Sequence, residues 1–333
     1  MSAMESQMPP VQKAAVNGVE LAYYEAGPRT GVPVIFCHGF PELAFSWRHQ
    51  LKAFEAAGVW AIAPDQRGYG LTSCPSEVTD YDIEHLTGDL VGLLDHLGVE
   101  KAIFCGHDWG GLVVWQMPLR HPDRVAGVIG LNTPFMPRSP FDPIAAMRTR
   151  FGPDMYIVWF QTPGDADTVL GADVEKTMRF FMRRPASLEL GAEPAEGGST
   201  FAFKDLLQAW DASDQGHQLL TRQELAAFVE SFQATGFTGG INWYRNFTRN
   251  WQRSEGQATR IDDLPCLMIT AEKDAVLSPA MAEGMPGMIG DLEMHMVRDS
   301  GHWTQQEKPE EVNRLVLDWL ARRFPSQNSR FAK

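Results

Sequence analysis

The sequence predicts an α/β fold built on a mostly parallel central sheet flanked by helices, and three features predict it. Short apolar runs at 32–37, 59–63, 102–105 and 125–131 are rich in Val, Ile and Ala and do not alternate, as strands buried on both faces require. A stretch of helical periodicity separates the second run from the third. After a long interruption the same strand-like pattern returns at 264–274 and 292–297.

In chain order, VNGVELAYYEAG opens with Asn17-Gly18, a tight-turn signal between two strands. Ile83, Leu86, Leu90, Leu93, Leu94 and Leu97 keep helical spacing, and Gly98 follows as a stop. Beyond Asn132, TPFMPRSPFDP is proline-rich and free of strand pattern. MYIVWFQ, VEKTMRFFMRR and LTRQELAAFVESF then read as helices, the last with Thr221 and Glu224 as a capping box. GAEPAEGGST, residues 191–200, reads as a mobile polar loop. After Pro309, the residues Val312, Leu315, Val316, Trp319 and Leu320 share one face of a closing helix. The expected organisation is a core over 1–136, an inserted helical lid over 137–248 and the rest of the core over 249–333. Ligands of open α/β sheets bind beyond the carboxyl ends of the strands, where such a lid would exclude water.

Composition narrows the function. The chain has 333 residues, 44% hydrophobic and 21% charged, with a net charge of -13. That charge argues against nucleic acid and anionic membrane surfaces as partners. MSAMESQMPP lacks a basic and apolar leader pattern, and no apolar run reaches the ~18 residues a membrane span needs. A cytoplasmic protein is expected. Cys37, Cys74, Cys105 and Cys266 show no CxxC spacing and read as free thiols. Gly68-Tyr69-Gly70 lacks the rest of a dinucleotide fingerprint, and no HExxH occurs, so neither cofactor nor metal is expected.

The chemistry is concentrated in CGHDWGG, 105–111. Its frame, Gly106-His107-Asp108-Trp109-Gly110, matches the strand-to-helix turn Gly-x-Ser-x-Gly with a carboxylate at the nucleophile position. Asp108 at a helix N-terminus should be ionised and able to attack carbon. Alternatively it is an N-cap, although flanking glycines suit a cramped turn better. A nucleophile of this kind is followed in the chain by an acid and then a histidine. His302, in DSGHWTQ past the last strand, is the histidine; His295 reads as packing, and His49, His85, His96, His121 and His217 as surface residues. Asp274, after LMITAEK, is the acid unless it is only a turn residue; Glu272 is a lesser candidate, and Asp262 and Asp263 lie at the wrong end of the strand. His38-Gly39-Phe40-Pro41 follows the first long strand. Its Phe40 amide, with that of Trp109, is a candidate oxyanion hole, and His38 reads as a loop-shaping hydrogen bonder. A carboxylate can displace at an sp³ carbon to form an alkyl ester, which a His–Asp pair then hydrolyses. Epoxides and halides are the obvious electrophiles.

Taken together, HGFPE (38–42), SWRHQ (46–50), DQRGYG (65–70), GHDWGG (106–111), NWYRN (242–246), LMITAEKDAVL (267–277) and GHWTQ (301–305) resemble the epoxide hydrolases of the α/β-hydrolase fold. The resemblance is to the hydrolase domain of the mammalian soluble enzyme and to its bacterial relatives. It implies two lid tyrosines that hydrogen-bond the epoxide oxygen, Tyr244 in NWYRN and Tyr156 in MYIVWFQ, with Phe160 beside the latter. By composition alone Tyr244 would read as a packing aromatic. The resemblance further implies a cis bond before Pro41. The substrate is then a small apolar epoxide, with water as co-substrate. Phe40, Pro41, Trp109, Trp159 and Phe160 are expected to bind it, and Phe180, Phe181 and Met182 are further apolar residues of the lid. Two rival readings remain: a haloalkane or fluoroacetate-type dehalogenase using the same aspartate with Trp109 as halide donor, and a ligand receptor that has kept the fold without the chemistry.

Overall fold

The computed structural model describes residues 3–184, 201–211 and 218–325. The expected loop at 191–200 and His217 lie outside them. Eight strands form one sheet: β1 Gln12–Val16, β2 Val19–Ala26, β3 Val34–Cys37, β4 Ala61–Pro64, β5 Ala102–His107, β6 Val125–Leu131, β7 Ile261–Ala271 and β8 Ile289–Val297. Their order is β1-β2-β4-β3-β5-β6-β7-β8. Only the pairings of β2, with β1 and β4, are antiparallel. The β1–β2 turn is made by Asn17 and Gly18, both at positive φ. The central strands β3, β4 and β5 are buried at every position, which is why their sequences do not alternate.

The helices are α1 Ala3–Gln7, α2 Arg48–Ala56, α3 Ile83–Leu97, α4 Trp109–Arg120, α5 Pro143–Phe151, α6 Tyr156–Trp159, α7 Asp165–Gly171, α8 Val174–Phe181, α9 Phe203–Ala209, α10 Arg222–Thr235, α11 Thr238–Arg245, α12 Phe247–Arg253, α13 Thr304–Glu307 and α14 Pro309–Arg323. The predicted helix α3 ends where expected, with Gly98 in the left-handed region. Among the described residues no helix is long and apolar enough to cross a membrane. Between β6 and β7 the described residues include α5 to α12 and no strand of the sheet. The boundary expected at 248 falls inside α12. This helical segment is tied to the core by Trp243 Nε1 donating to the Arg67 carbonyl at 3.1 Å and by Arg249 and Arg253 on Asp82. Its α10 begins with the expected capping box of Thr221 and Glu224.

Several expectations need correction. β7 begins at Ile261, so Asp262 and Asp263 lie within it rather than before it. MYIVWFQ yields only the four-residue α6; Thr162-Pro163 follows within one turn, and the residue before a proline is disfavoured in the helical region. His295 is not a packing residue: β8 is an edge strand, and His295 there pairs with Glu293 at 2.7 Å on a partly exposed face.

Tight contact holds the β5–α4 turn. A Cβ added at Gly110 would fall inside the carbonyl of Cys37 on β3, backbone that has no rotamer with which to yield. At Gly98, by contrast, the added Cβ meets open space and only the positive φ resists it. We therefore expect Gly98→Ala to cost about 1 kcal/mol and Gly110→Ala at least about 3 kcal/mol or the fold itself. Urea unfolding of both variants checks this, and equal costs would contradict the close approach.

Candidate active site

Adjacent parallel strands end side by side and carry the site. β5 delivers Asp108, which has φ 52 and ψ −121 at the junction with α4. A non-glycine residue in this region is strained and persists only where its surroundings hold it. Asp108 holds the N-cap position of α4, but its side chain makes no capping hydrogen bond there. Instead, Oδ1 accepts the Phe40 amide at 2.8 Å, and the Trp109 amide also bonds the carboxylate. Both amides foreseen as an oxyanion hole thus bond this carboxylate, that of Phe40 at Oδ1. Its other oxygen, Oδ2, stands 3.8 Å from His302 Nε2. The Phe40–Pro41 bond is cis, as the resemblance implied.

His302 follows β8, and its Nδ1 donates to Asp274 Oδ2 at 2.9 Å. Asp274 lies in the turn after β7, where Oδ1 accepts the amides of Val276 and Leu277, each at 2.9 Å. Asn132, at the end of β6, donates to Asp274 Oδ2 at 2.6 Å. Glu272 is on the surface with Arg298 and is excluded.

Charge differs among these groups. Burial would raise Asp274, but His302 and Asn132 outweigh it and hold the carboxyl well below its ordinary range. Burial raises Asp108 more than His302, His107 and the two amides lower it. His302 would be lowered by burial, yet Asp274 and then Asp108 lift it to about 9.

A second buried pair lies beneath. Glu42 Oε2 meets His107 Nδ1 at 2.9 Å, and His107 Nε2 donates to the His302 carbonyl at 2.7 Å. Both partners of this imidazole are acceptors, so a proton must sit in each bond. Glu42 would be raised by burial, but the charge and hydrogen bond of His107 keep it low. His38 shapes the loop as expected: Nδ1 donates to the Gly39 carbonyl, Nε2 accepts the Gln66 amide, and burial pushes the ring down to about 4.

A narrow cavity of about 70 Å³ opens onto these groups, lined by Asp108, His302, Tyr156, Tyr244 and an apolar wall that includes Phe40, Phe181 and Trp303. Burial raises both phenols, and the charge of Asp108 raises them further. Of the expected substrate contacts, Phe40 lines the cavity. Phe160 packs edge-on behind Phe40, Tyr156 and Tyr244 instead of facing the space. Pro41 is buried in the loop and is not part of the wall. Trp159 turns its indole to Asp165 at 2.6 Å, so it braces the helical segment. Trp109 stacks among Trp243, Tyr244 and Phe247, with its indole N–H bonded to Tyr244, and stays out of the cavity. Met182 is core, whereas Phe180 and Phe181 reach the cavity.

Sequence reasoning missed Glu42, His107, Asn132, Phe203, Val276 and Trp303. Glu42 and His107 sat inside HGFPE and GHDWGG and so carried a signal; Asn132 was seen only as a strand end lacking an acid.

A family model for the alpha/beta hydrolase fold matches residues 32–309. Epoxide hydrolase A of Mycobacterium tuberculosis is 43% identical over 91% of this chain and 95% of its own length. The chain belongs to the epoxide hydrolases of the α/β-hydrolase fold. The crystal structure of epoxide hydrolase A from Mycobacterium thermoresistibile matches with a TM-score of 0.84 at 43% identity, covering 94% of this chain and 98% of that one. The bifunctional epoxide hydrolase 2 of Sus scrofa is 40% identical over 91% of this chain, which spans 53% of that longer protein. As an epoxide hydrolase, the chain is an enzyme whose reaction consumes an epoxide and water.

The raised His302 makes a thermodynamic prediction. Its folded value, about 9, exceeds the ordinary 6.5. Its contribution to stability is therefore fully present below pH 6.5 and is lost as pH rises towards about 9. Asp274→Asn removes the largest raising cause. We expect the His302 ring signals in an NMR titration to turn over near pH 9 in the parent and at clearly lower pH in this variant. An unchanged midpoint would mean that Asp274 does not set the charge of His302.

Proposed function

We propose that the protein hydrolyses a small apolar epoxide to a vicinal diol through an alkyl ester on Asp108. The observation that carries this reading is the two-ended hold on the aspartate, with Oδ1 on the Phe40 amide and Oδ2 free towards His302 and the cavity. Oδ2 attacks the less hindered epoxide carbon from behind, and the C–O bond breaks. Tyr156 and Tyr244, on the cavity wall, hydrogen-bond the departing oxygen and supply its proton. Oδ1 becomes the ester carbonyl oxygen. His302 then takes a proton from water, the water attacks Cγ of Asp108, and the oxyanion forms on Oδ1, which the Phe40 amide already holds, with the Trp109 amide as second donor. Collapse breaks the Cγ–O bond, and the proton on His302 goes to the leaving alkoxide to complete the diol. The proton of the carboxylic acid so formed passes to the phenolate left by the first step, which restores Asp108 and the phenol.

Esterification itself readies the base. It abolishes the negative charge of Asp108, one of the causes that keep His302 protonated. His302 thus moves towards its neutral form when a base is needed. The helical segment, read as a lid over 137–248, contributes both phenols and half of the apolar wall, Phe180, Phe181 and Phe203. A cytoplasmic setting suits this reading, and water is the only co-substrate it calls for.

A halide leaving group would use the Trp109 indole. That N–H is bonded to Tyr244, and Trp109 does not line the cavity, so dehalogenation is disfavoured. A receptor would have no use for the complete set of groups.

The test is a divided assay: styrene oxide and a fatty-acid epoxide with diol detection, beside a bromoalkane and fluoroacetate with halide detection. Diol without halide is expected, and the reverse would overturn the proposal. Asp108→Asn should lower turnover by at least about 10³-fold with the fold intact. His302→Gln should trap the alkyl ester, seen as a mass increase on the intact protein. Changing Tyr156 and Tyr244 together to Phe should slow ester formation at least about 100-fold; an unchanged rate would remove the phenols from the mechanism. In single turnovers, the pH midpoint of ester hydrolysis should lie below that of His302 in the free protein. A midpoint at or above it would deny that esterification readies the base.

A further inference from the structure

One cation links the helical segment to the floor of the site. Arg48, the first residue of α2, is 4% exposed. Its Nε and Nη2 each lie 3.0 Å from Glu224 Oε1 on α10. Its Nη1 donates to Gln306 Oε1 at 2.7 Å. The Gln306 amide nitrogen stands 3.4 Å from Glu42 Oε1, an oxygen that also accepts Gln305 Nε2 at 3.0 Å. The other Glu42 oxygen holds His107 and the Gly39 amide, and His107 holds the His302 carbonyl. A continuous chain of buried polar groups therefore runs from α10 to the loop that carries the base.

We propose that Arg48 is a positioning residue that couples the seating of the helical lid, through Glu224, to the hydrolytic half of the reaction. The proposal rests on the ester mechanism of the preceding subsection. A guanidinium keeps its charge at any working pH, so burying it demands a carboxylate partner. Glu224 is that partner when α10 is seated. Once Glu224 is removed, the next carboxylate acting on Arg48 is Glu42. The guanidinium then draws on Glu42 and Gln306 and loosens the hold of Glu42 on His107 and Gly39. Those two contacts stabilise the His302 backbone and the loop bearing the Phe40 amide. Base and oxyanion amides serve ester hydrolysis, whereas ester formation needs the free Asp108 oxygen and the phenols. The other charged ties to the core, Arg249 and Arg253 on Asp82, Arg253 on Glu84 and Arg184 on Glu307 at 3.9 Å, use partly exposed arginines. Glu307 also accepts the Gly301 and Trp303 amides beside His302, so the buried Arg48 is the tie that passes through Glu42 and His107.

The experiment uses the full chain and Glu224→Gln. This change keeps a capping-box side chain on α10 while stripping the charge from the pair. With styrene oxide as probe, rapid quenching and intact-protein mass spectrometry follow the ester. Ester hydrolysis should slow at least about tenfold, with ester formation within about threefold of the parent. Arg48→Gln combined with Glu224→Gln removes both charges and should recover most of the hydrolysis rate. Asp167→Asn, which breaks the Arg245–Asp167 pair within the helical segment, is the control. NMR signals of the His302 and His107 ring N–H groups should shift in Glu224→Gln and not in this control. Equal slowing of both half-reactions, unaltered hydrolysis in Glu224→Gln, or ring signals that do not move would overturn the coupling. A parent that forms no ester on Asp108 would sink the mechanism instead, and the ring signals would still decide whether Glu224 reaches the base.

Discussion

A carboxylate stripped of water must find hydrogen bonds and opposite charge or else give up its own, and this constraint organises the whole site. Three carboxylates gather here: Glu42 and Asp274 are buried with the imidazole of His107, while Asp108 and His302 keep a small exposure at the cavity. They are satisfied unequally. Asp274 collects two backbone amides, an asparagine and an imidazole, and is held low. Asp108 has two backbone amides and an imidazole no nearer than 3.8 Å, and is raised. The less solvated carboxylate is the better nucleophile, and the more satisfied one the better anchor. The difference in role follows from the difference in donors.

The sheet makes that inequality possible. The parallel strands β3, β5, β6, β7 and β8 are neighbours in one order and end on the same side. They deliver the Phe40 loop, Asp108, Asn132, Asp274 and His302 to a single place. Residues separated by 142 positions, such as Asn132 and Asp274, meet at 2.6 Å because β6 and β7 are paired in register. Asp108 has to leave its strand at a positive φ, and Gly106 and Gly110 let β5, α4 and β3 close around that turn.

Strands with unbroken apolar runs, the Leu-spaced helix α3 and the turn around Asp108 were legible because each is a local pattern. Asp274 and His302 were legible through position alone, one after the penultimate strand and one after the last. The roles of Tyr156 and Tyr244 came from family resemblance. Composition could not separate a phenol facing a cavity from one in a core, and here both are buried as deeply as core residues. Trp159 was misjudged for the same reason: a bulky aromatic beside the site faces Asp165, and only the fold shows which way it turns. His107 escaped because attention fell on its neighbour in the motif. Its function depends on Glu42 and His302, one far earlier and one far later in the chain.

Electrostatics ties the two halves of the proposed reaction together. The negative charge of Asp108 is a raising influence on His302, on Tyr156 and on Tyr244 alike. Before attack, that charge keeps both phenols protonated, as hydrogen-bond donors to an epoxide oxygen must be. It also adds to the stronger influence of Asp274, which holds His302 towards its protonated form. In the proposed reaction, ester formation takes that charge off Asp108 and so removes one raising influence on each of these groups. A phenol gives its proton to the alkoxide, and His302, still beside Asp274, moves towards the neutral form that the second step requires. A neutral nucleophile such as serine could not do this, because its attack does not remove a resident charge. In the proposed reaction the carboxylate at the nucleophile position therefore serves twice, as the group that attacks carbon and as a charge whose loss favours the second step.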